Sequence, residues 1–173
     1  MKRPILLDMS IDHSGWRHVP RLRAQLEAAA RVSFDHLPER FHFPAMVTVF
    51  LTGDATMRRL NQDFRGVGRA TNVLSFPQFE PRKLPKKGRK GEAVHLGDIA
   101  MAYQYIVGEA KKDHKILINH IIHLLIHGIL HLFGYDHSSD GGAARMERLE
   151  KRIMASLDLP DPYKPETKAA RKK

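Results

Sequence analysis

At 173 residues the chain has the length of one domain, and a chain of that size buries about 70% of its unfolded surface, enough to fold without a staple. It has no cysteine, which excludes disulfides and thiolate metal sites, leaves imidazole and carboxylate as metal ligands, and suits a reducing cytoplasm. Twenty-nine Lys and Arg against 19 Asp and Glu give a net charge of +10, a field whose natural counterpart is a polyanion. RNA, DNA and an anionic membrane all qualify; the lack of a strongly amphipathic basic helix favours nucleic acid, and a solvated basic surface that only aids solubility would carry the same charge.

The opening MKRPILLDMSID has too short an apolar run for a signal peptide, and ILLDMSI reads as a strand. Pro20 suits the first turn of a helix that carries Leu22, Leu26, Ala29 and Ala30 at helical spacing. MVTVFLT, near residue 46, is a second strand. Asp54 is a candidate N-cap for a helix with Met57, Leu60 and Phe64 on its apolar face, ended by Arg65-Gly66. Strands follow at Thr71–Pro77 and His95–Tyr103, with Gly97 marking a bulge or a close backbone approach.

Between those two strands Arg82, Lys83, Lys86, Lys87, Arg89 and Lys90 sit among Pro and Gly with almost nothing apolar, the composition of a mobile, RNA-binding loop. A helix around residues 104–112 precedes an apolar one from about Ile116 to Phe133, whose four histidines mark it as buried in protein rather than in lipid. A last helix places Met146, Leu149, Ile153 and Leu157 at intervals of three and four. The expected organisation is one domain over residues 1–160 and a disordered basic tail over 161–173. The expected class is α/β of the α+β type, one mixed sheet backed by helices.

The informative segment is HGILHLFGYDH, residues 127–137. His127 and His131, four apart on a helix, lie on one face and can reach one tetrahedral ion. His123 lies on the same stripe, but residues eight apart are separated by about 12 Å of rise, so a third ligand must come from elsewhere. Gly134 can end the helix in the left-handed conformation and return His137 toward the pair. Three neutral nitrogens leave a fourth position open, the catalytic pattern. His120 and His123 read as hydrogen-bonded core residues, with a supporting role behind the ligands as the alternative for either.

This spacing is that of the metzincin peptidases, except that Gly128 stands where those enzymes carry the general-base glutamate. Peptide hydrolysis is therefore disfavoured. Phosphodiester cleavage relies more on stabilising charge on phosphoryl oxygens, work suited to a metal and an arginine.

Residues 127–137 match every fixed position of HGxLHLxGYDH, the signature of the YbeY family, which the chain resembles. Two further blocks carry the resemblance: Leu60-Asn61, Phe64-Arg65-Gly66 and Thr71–Pro77 form one, Leu96-Gly97-Asp98-Ile99 the other. The basic stretch Arg82–Lys90 departs from it, being longer than the usual strand connection. The resemblance implies an α/β fold with the histidine helix facing the sheet and one zinc per chain on His127, His131 and His137. It also implies a cytoplasmic endoribonuclease that matures small-subunit ribosomal RNA, with RNA, the small ribosomal subunit and ribosome-associated proteins as partners.

By the same resemblance Arg65 contacts substrate phosphate, although alone it reads as a helix-end arginine favouring the dipole. Asp98 and Asp136 could orient ligands or assist water, or simply support the fold. A ribosome-assembly factor with structural zinc and a zinc hydrolase of peptides or small phosphoesters are the competing functions.

Overall fold

The computed structural model describes residues 5–41, 43–80, 83–85 and 92–165. Strands β1 (Ile5–Ile11), β2 (Ala45–Thr52), β3 (Val73–Pro77) and β4 (Val94–Ala102) form one mixed sheet. Its order is β1-β2-β4-β3, with β1, β2 and β4 parallel and β3 antiparallel on the edge. The helices are α1 (Leu22–Asp35), α2 (Asp54–Arg65), α3 (Tyr103–Lys112), α4 (Leu117–Leu132) and α5 (Asp140–Ser156). The α+β class with one mixed sheet is as the sequence implied.

Strand alternation decides which helix covers which face. Val47, Val49 and Leu51 of β2 and Ile99 and Met101 of β4 join the main core with α1, α4 and α5. Leu74, Ala100 and Ala102 point the other way and meet Met57 of α2 in a smaller cluster. α4 is apolar around its circumference because the sheet, α1 and α5 all pack on it. Ile121, Leu125, Ile126, Ile129 and Leu130 are fully buried there, each contributing about 1.5–3 kcal/mol. Among the described residues no single helix is long and apolar enough to cross a membrane.

Gly97 shows both features expected of it. Its φ is 139°, a β-bulge in β4 falls beside it, and a Cβ there would lie 2.2 Å from the Phe76 carbonyl oxygen.

Three local expectations need correcting. Pro20 precedes α1, whose N-cap is Arg21 in the left-handed region. The N-cap of α2 is Gly53; the Asp54 carboxylate instead accepts a hydrogen bond from the Tyr105 amide (2.9 Å) in the first turn of α3. Gln104 returns the bond, accepting from the Asp54 amide (3.0 Å), so the two helix starts cap each other. Phe64, expected on the apolar face of α2, is 66% exposed, its ring resting edge-on against the edge-strand ring of Phe76.

Candidate metal centre

His127 and His131 follow one another on a single face of α4. The helix then ends with Gly134 at φ 84°, the Gly134 amide donating to His131 C=O (2.9 Å) and the Tyr135 amide to Leu130 C=O (3.1 Å). This paired closure turns the chain sharply. The Asp136 carboxylate next accepts from the Ser138 amide (3.2 Å) and hydroxyl (2.9 Å), a local turn that brings His137 back against α4.

The outcome is convergence of three ring nitrogens. His131 Nε2 lies 3.1 Å from His127 Nε2 and 3.1 Å from His137 Nε2. All three donor atoms fall within 4.8 Å of one another. Ligand bonds of about 2.0–2.1 Å in a tetrahedral site put neighbouring nitrogens about 3.3 Å apart, so the set fits one ion. Burial, followed by the nearby His127 and His137, pushes His131 down to about 4, so at neutral pH its ring is uncharged and able to act as a ligand.

The tautomer of His127 is fixed from behind. Its Nδ1 is 2.7 Å from Oε1 of Glu150, a fully buried residue of α5. Burial opposes ionisation of Glu150. Hydrogen bonds from His123 and His127, the charge of His123 and a bond from Tyr163 outweigh it and hold the carboxyl at about 2. An ionised carboxylate only accepts, so His127 carries a proton on Nδ1, and Nε2 is the nitrogen it turns to the site. The Tyr163 hydroxyl donates to the other oxygen, Oε2, and burial together with Glu150 pushes its own ionisation upward, keeping it a donor.

His123 Nε2 reaches Oε2 of Glu150 (3.4 Å), and His120 Nε2 lies 2.9 Å from Glu109 Oε2. Both are buried and bonded through Nε2, and His123 shares its carboxylate partner with His127. The burial of Glu109 opposes its ionisation, and its bonds with His120 and Asn72 lower its pKa nonetheless.

Asp98 does not support the ligands. It follows Gly97 and precedes Ile99, both of which face α4, so alternation sends its side chain to the opposite face, where it pairs with His95 (3.2 Å). Asp136 is exposed and engaged with Ser138, the fold-supporting alternative; that hydroxyl lowers its pKa.

Arg65 is exposed at the end of α2 and lines a depression with Asn61, Val67, Arg69, Ala70, Thr71 and Tyr105 that contains none of the three histidines. Of the basic loop, Lys83 pairs with Glu80 (3.0 Å), while Arg82, Lys86, Lys87, Arg89 and Lys90 lie outside the described residues.

Sequence reasoning missed Glu150 and Tyr163. Glu150 left a legible signal, a carboxylate within the stripe of Met146, Leu149 and Ile153. Tyr163 left none, since it falls in the segment expected to be a disordered tail. That segment instead begins with a buried Pro162 and a hydrogen-bonded Tyr163; residues 166–173 lie outside the described ones.

A family profile described as Endoribonuclease YbeY matches residues 15–158. Similar proteins named endoribonuclease YbeY include one from Allorhizobium ampelinum, 38% identical over 91% of this chain and 93% of the relative. One from Bradyrhizobium diazoefficiens is 42% identical over 86% of this chain and 79% of the relative. A third, from Nitrobacter hamburgensis, is 46% identical over 73% of this chain, and the match spans 65% of that relative's length. The solution structure of a Thermotoga maritima protein shares the fold at a TM-score of 0.53, with 23% identity over 91% of this chain and 99% of that one. By its sequence and by the fold that carries its histidines, the chain belongs to the endoribonuclease YbeY family.

Proposed function

We propose that the protein is a zinc-dependent endoribonuclease that hydrolyses phosphodiester bonds in single-stranded regions of ribosomal RNA, in the cytoplasm, during small-subunit maturation and quality control. The observation that carries this reading is the convergence of three histidine Nε2 atoms, with His137 exposed. Family membership supports the choice of RNA as substrate, and the net charge of +10 suits a polyanion.

His127, His131 and His137 would hold the ion. Three imidazoles also suit nickel or cobalt, and zinc is proposed on availability and family. A divalent ion there supplies a Lewis acid that withdraws charge from a phosphoryl oxygen and makes a water proton easier to remove. Glu150 keeps the His127 lone pair on the site, and burial keeps His131 uncharged. Gly128 brings no carboxylate. A Cβ there would already meet Ile99 at 3.0 Å and Ser75 at 3.2 Å, so the helix is packed too closely on the sheet for a glutamate, which speaks against peptide hydrolysis.

Arg65 contacts substrate phosphate in this reading. It shares its depression with Arg69, as a path for the RNA backbone would require. Arg82, Lys83, Lys86, Lys87, Arg89 and Lys90 add affinity without taking part in chemistry.

The test is cleavage of a single-stranded RNA oligonucleotide by zinc-loaded protein, alongside elemental analysis. Wild type should carry about one equivalent and cleave. His131→Ala should lose both, and His120→Ala should keep the metal. Cleavage by metal-free His131→Ala at the wild-type rate would refute the proposal, and metal binding without cleavage would favour a structural zinc in an RNA-binding assembly factor.

A further inference from the structure

We propose that the segment following α5 is a strap that sets the donor geometry of the metal site, with Glu150 and Tyr163 as positioning residues acting through His127. The inference rests on the metal-site reading above and goes beyond the ligands to what holds them.

A carboxylate fully buried on the apolar face of α5 needs a reason, because an apolar side chain of similar size costs less to bury there. Glu150 is tolerated because both its oxygens are engaged, Oε1 with His127 Nδ1 and Oε2 with His123 and the Tyr163 hydroxyl. Two of these three partners would remain if the chain stopped at α5. The third exists only because the chain turns back.

That return is built locally. Asp158 takes the left-handed conformation (φ 57°), and the Leu159 amide donates to Met154 C=O (3.0 Å), closing α5 with a reversal. Pro160 and Pro162 stiffen the returning chain, and Pro162 is buried. The Asp161 carboxylate accepts from the Tyr163 amide (3.0 Å), fixing the turn from which the tyrosine projects. The Tyr163 ring then lies edge-on to His123 at 5.4 Å, with Lys151 Nζ 5.1 Å from its centroid.

Tyr163 also lines, with His127, His137 and Glu150, a cavity of about 150 Å³ beside the histidine cluster. By holding Oε2, it leaves Oε1 aimed at His127, and the imidazole is pinned in both tautomer and rotation. Loss of such partners behind a metal ligand typically weakens binding by about 10–100-fold.

The experiment measures zinc affinity by chelator competition and the visible spectrum of the cobalt-loaded protein for wild type, Glu150→Gln, Tyr163→Phe and the double variant. Urea unfolding of each metal-free protein serves as the stability control. Glu150→Gln should weaken zinc about 10–100-fold and Tyr163→Phe by several-fold, each with a shifted cobalt spectrum. The double variant should be no weaker than Glu150→Gln, because Tyr163 acts only through that carboxylate.

Wild-type affinity and spectrum in Tyr163→Phe would overturn the strap, and this variant keeps the test informative if Glu150→Gln does not fold. Losses that simply add in the double variant would also overturn it. Should wild type bind zinc with these variant effects and cleave no RNA, the strap stands and the nuclease reading falls.

Discussion

Gly97→Ala should destabilise the protein by about 4 kcal/mol. The residue sits at φ 139°, and holding a side chain in such a region costs about 1–3 kcal/mol. The added Cβ would also lie 2.2 Å from the Phe76 carbonyl oxygen, 3.0 Å from the Gln78 nitrogen and 3.1 Å from Leu132 Cδ2. Two of these neighbours are backbone, one in the paired edge strand and one just past its end, held by the strand pairing and by the bond from the Gln78 amide to Leu96 C=O (2.8 Å), so they cannot swing aside. Overpacking of that kind costs roughly a further 1–3 kcal/mol.

Gly108→Ala is the internal control. It lies exposed within α3 with nothing within 4 Å of its Cβ, and should stabilise by about 0.5–1 kcal/mol through helix propensity. Urea unfolding of metal-free protein at neutral pH reads both. Because Leu132 adjoins His131, Gly97→Ala should also weaken zinc binding. A loss below about 1 kcal/mol, or equal behaviour of the two variants, would refute the argument from backbone approach.

Two more outcomes are expected. The pKa of Glu150 is depressed from 4.5 to about 2, so the group contributes stability that is fully present above the unfolded value and lost as pH falls through the folded one. The difference corresponds to about 3 kcal/mol, and urea midpoints of metal-free wild type should decline between pH 4.5 and 2 more steeply than those of Glu150→Gln; parallel curves would refute it. Arg65→Ala should keep fold and zinc yet lose about 2.7–4 kcal/mol of transition-state stabilisation in single-turnover RNA cleavage. Arg65→Lys should recover part, since lysine keeps the charge without the planar fork; an unchanged rate in Arg65→Ala would remove Arg65 from the chemistry.

The histidine cluster was legible because its geometry is local. Four residues make one helical turn, a glycine reverses the chain, and three residues later a third imidazole returns, so no long-range contact is needed to bring His127, His131 and His137 together. The sheet class was legible for the same reason, in the alternation of β2 and the apolar girth of α4. What failed required knowing which surfaces meet. Asp98 stands beside residues that face the histidine helix, and only strand parity, set by the packing of Ile99 on Gly128, shows that it points away. Phe64 fits the helical stripe of α2, but the small cluster beneath that helix ends at Leu60 and Phe76 and leaves its ring in solvent. Asp54 has the chemistry of an N-cap and applies it elsewhere, accepting from a first-turn amide of a helix that begins 49 residues later.

Gly128 joins the two levels. Its missing side chain brings α4 close enough to the sheet for Ser75 Oγ to approach the Gly128 carbonyl (3.4 Å) and for Ile99 to fill the space a Cβ would need. The position that carries the general base in metzincin peptidases is thereby committed to packing. The carboxylate bonded to His127 is Glu150 instead, and it stands behind that imidazole, buried and occupied with three donors, where it can orient the ring but cannot take a proton from water in front of the site. A site with three imidazole nitrogens converging in front and Glu150 locked behind is arranged to place and polarise a substrate that already bears negative charge. That is the requirement of phosphodiester cleavage more than of peptide cleavage.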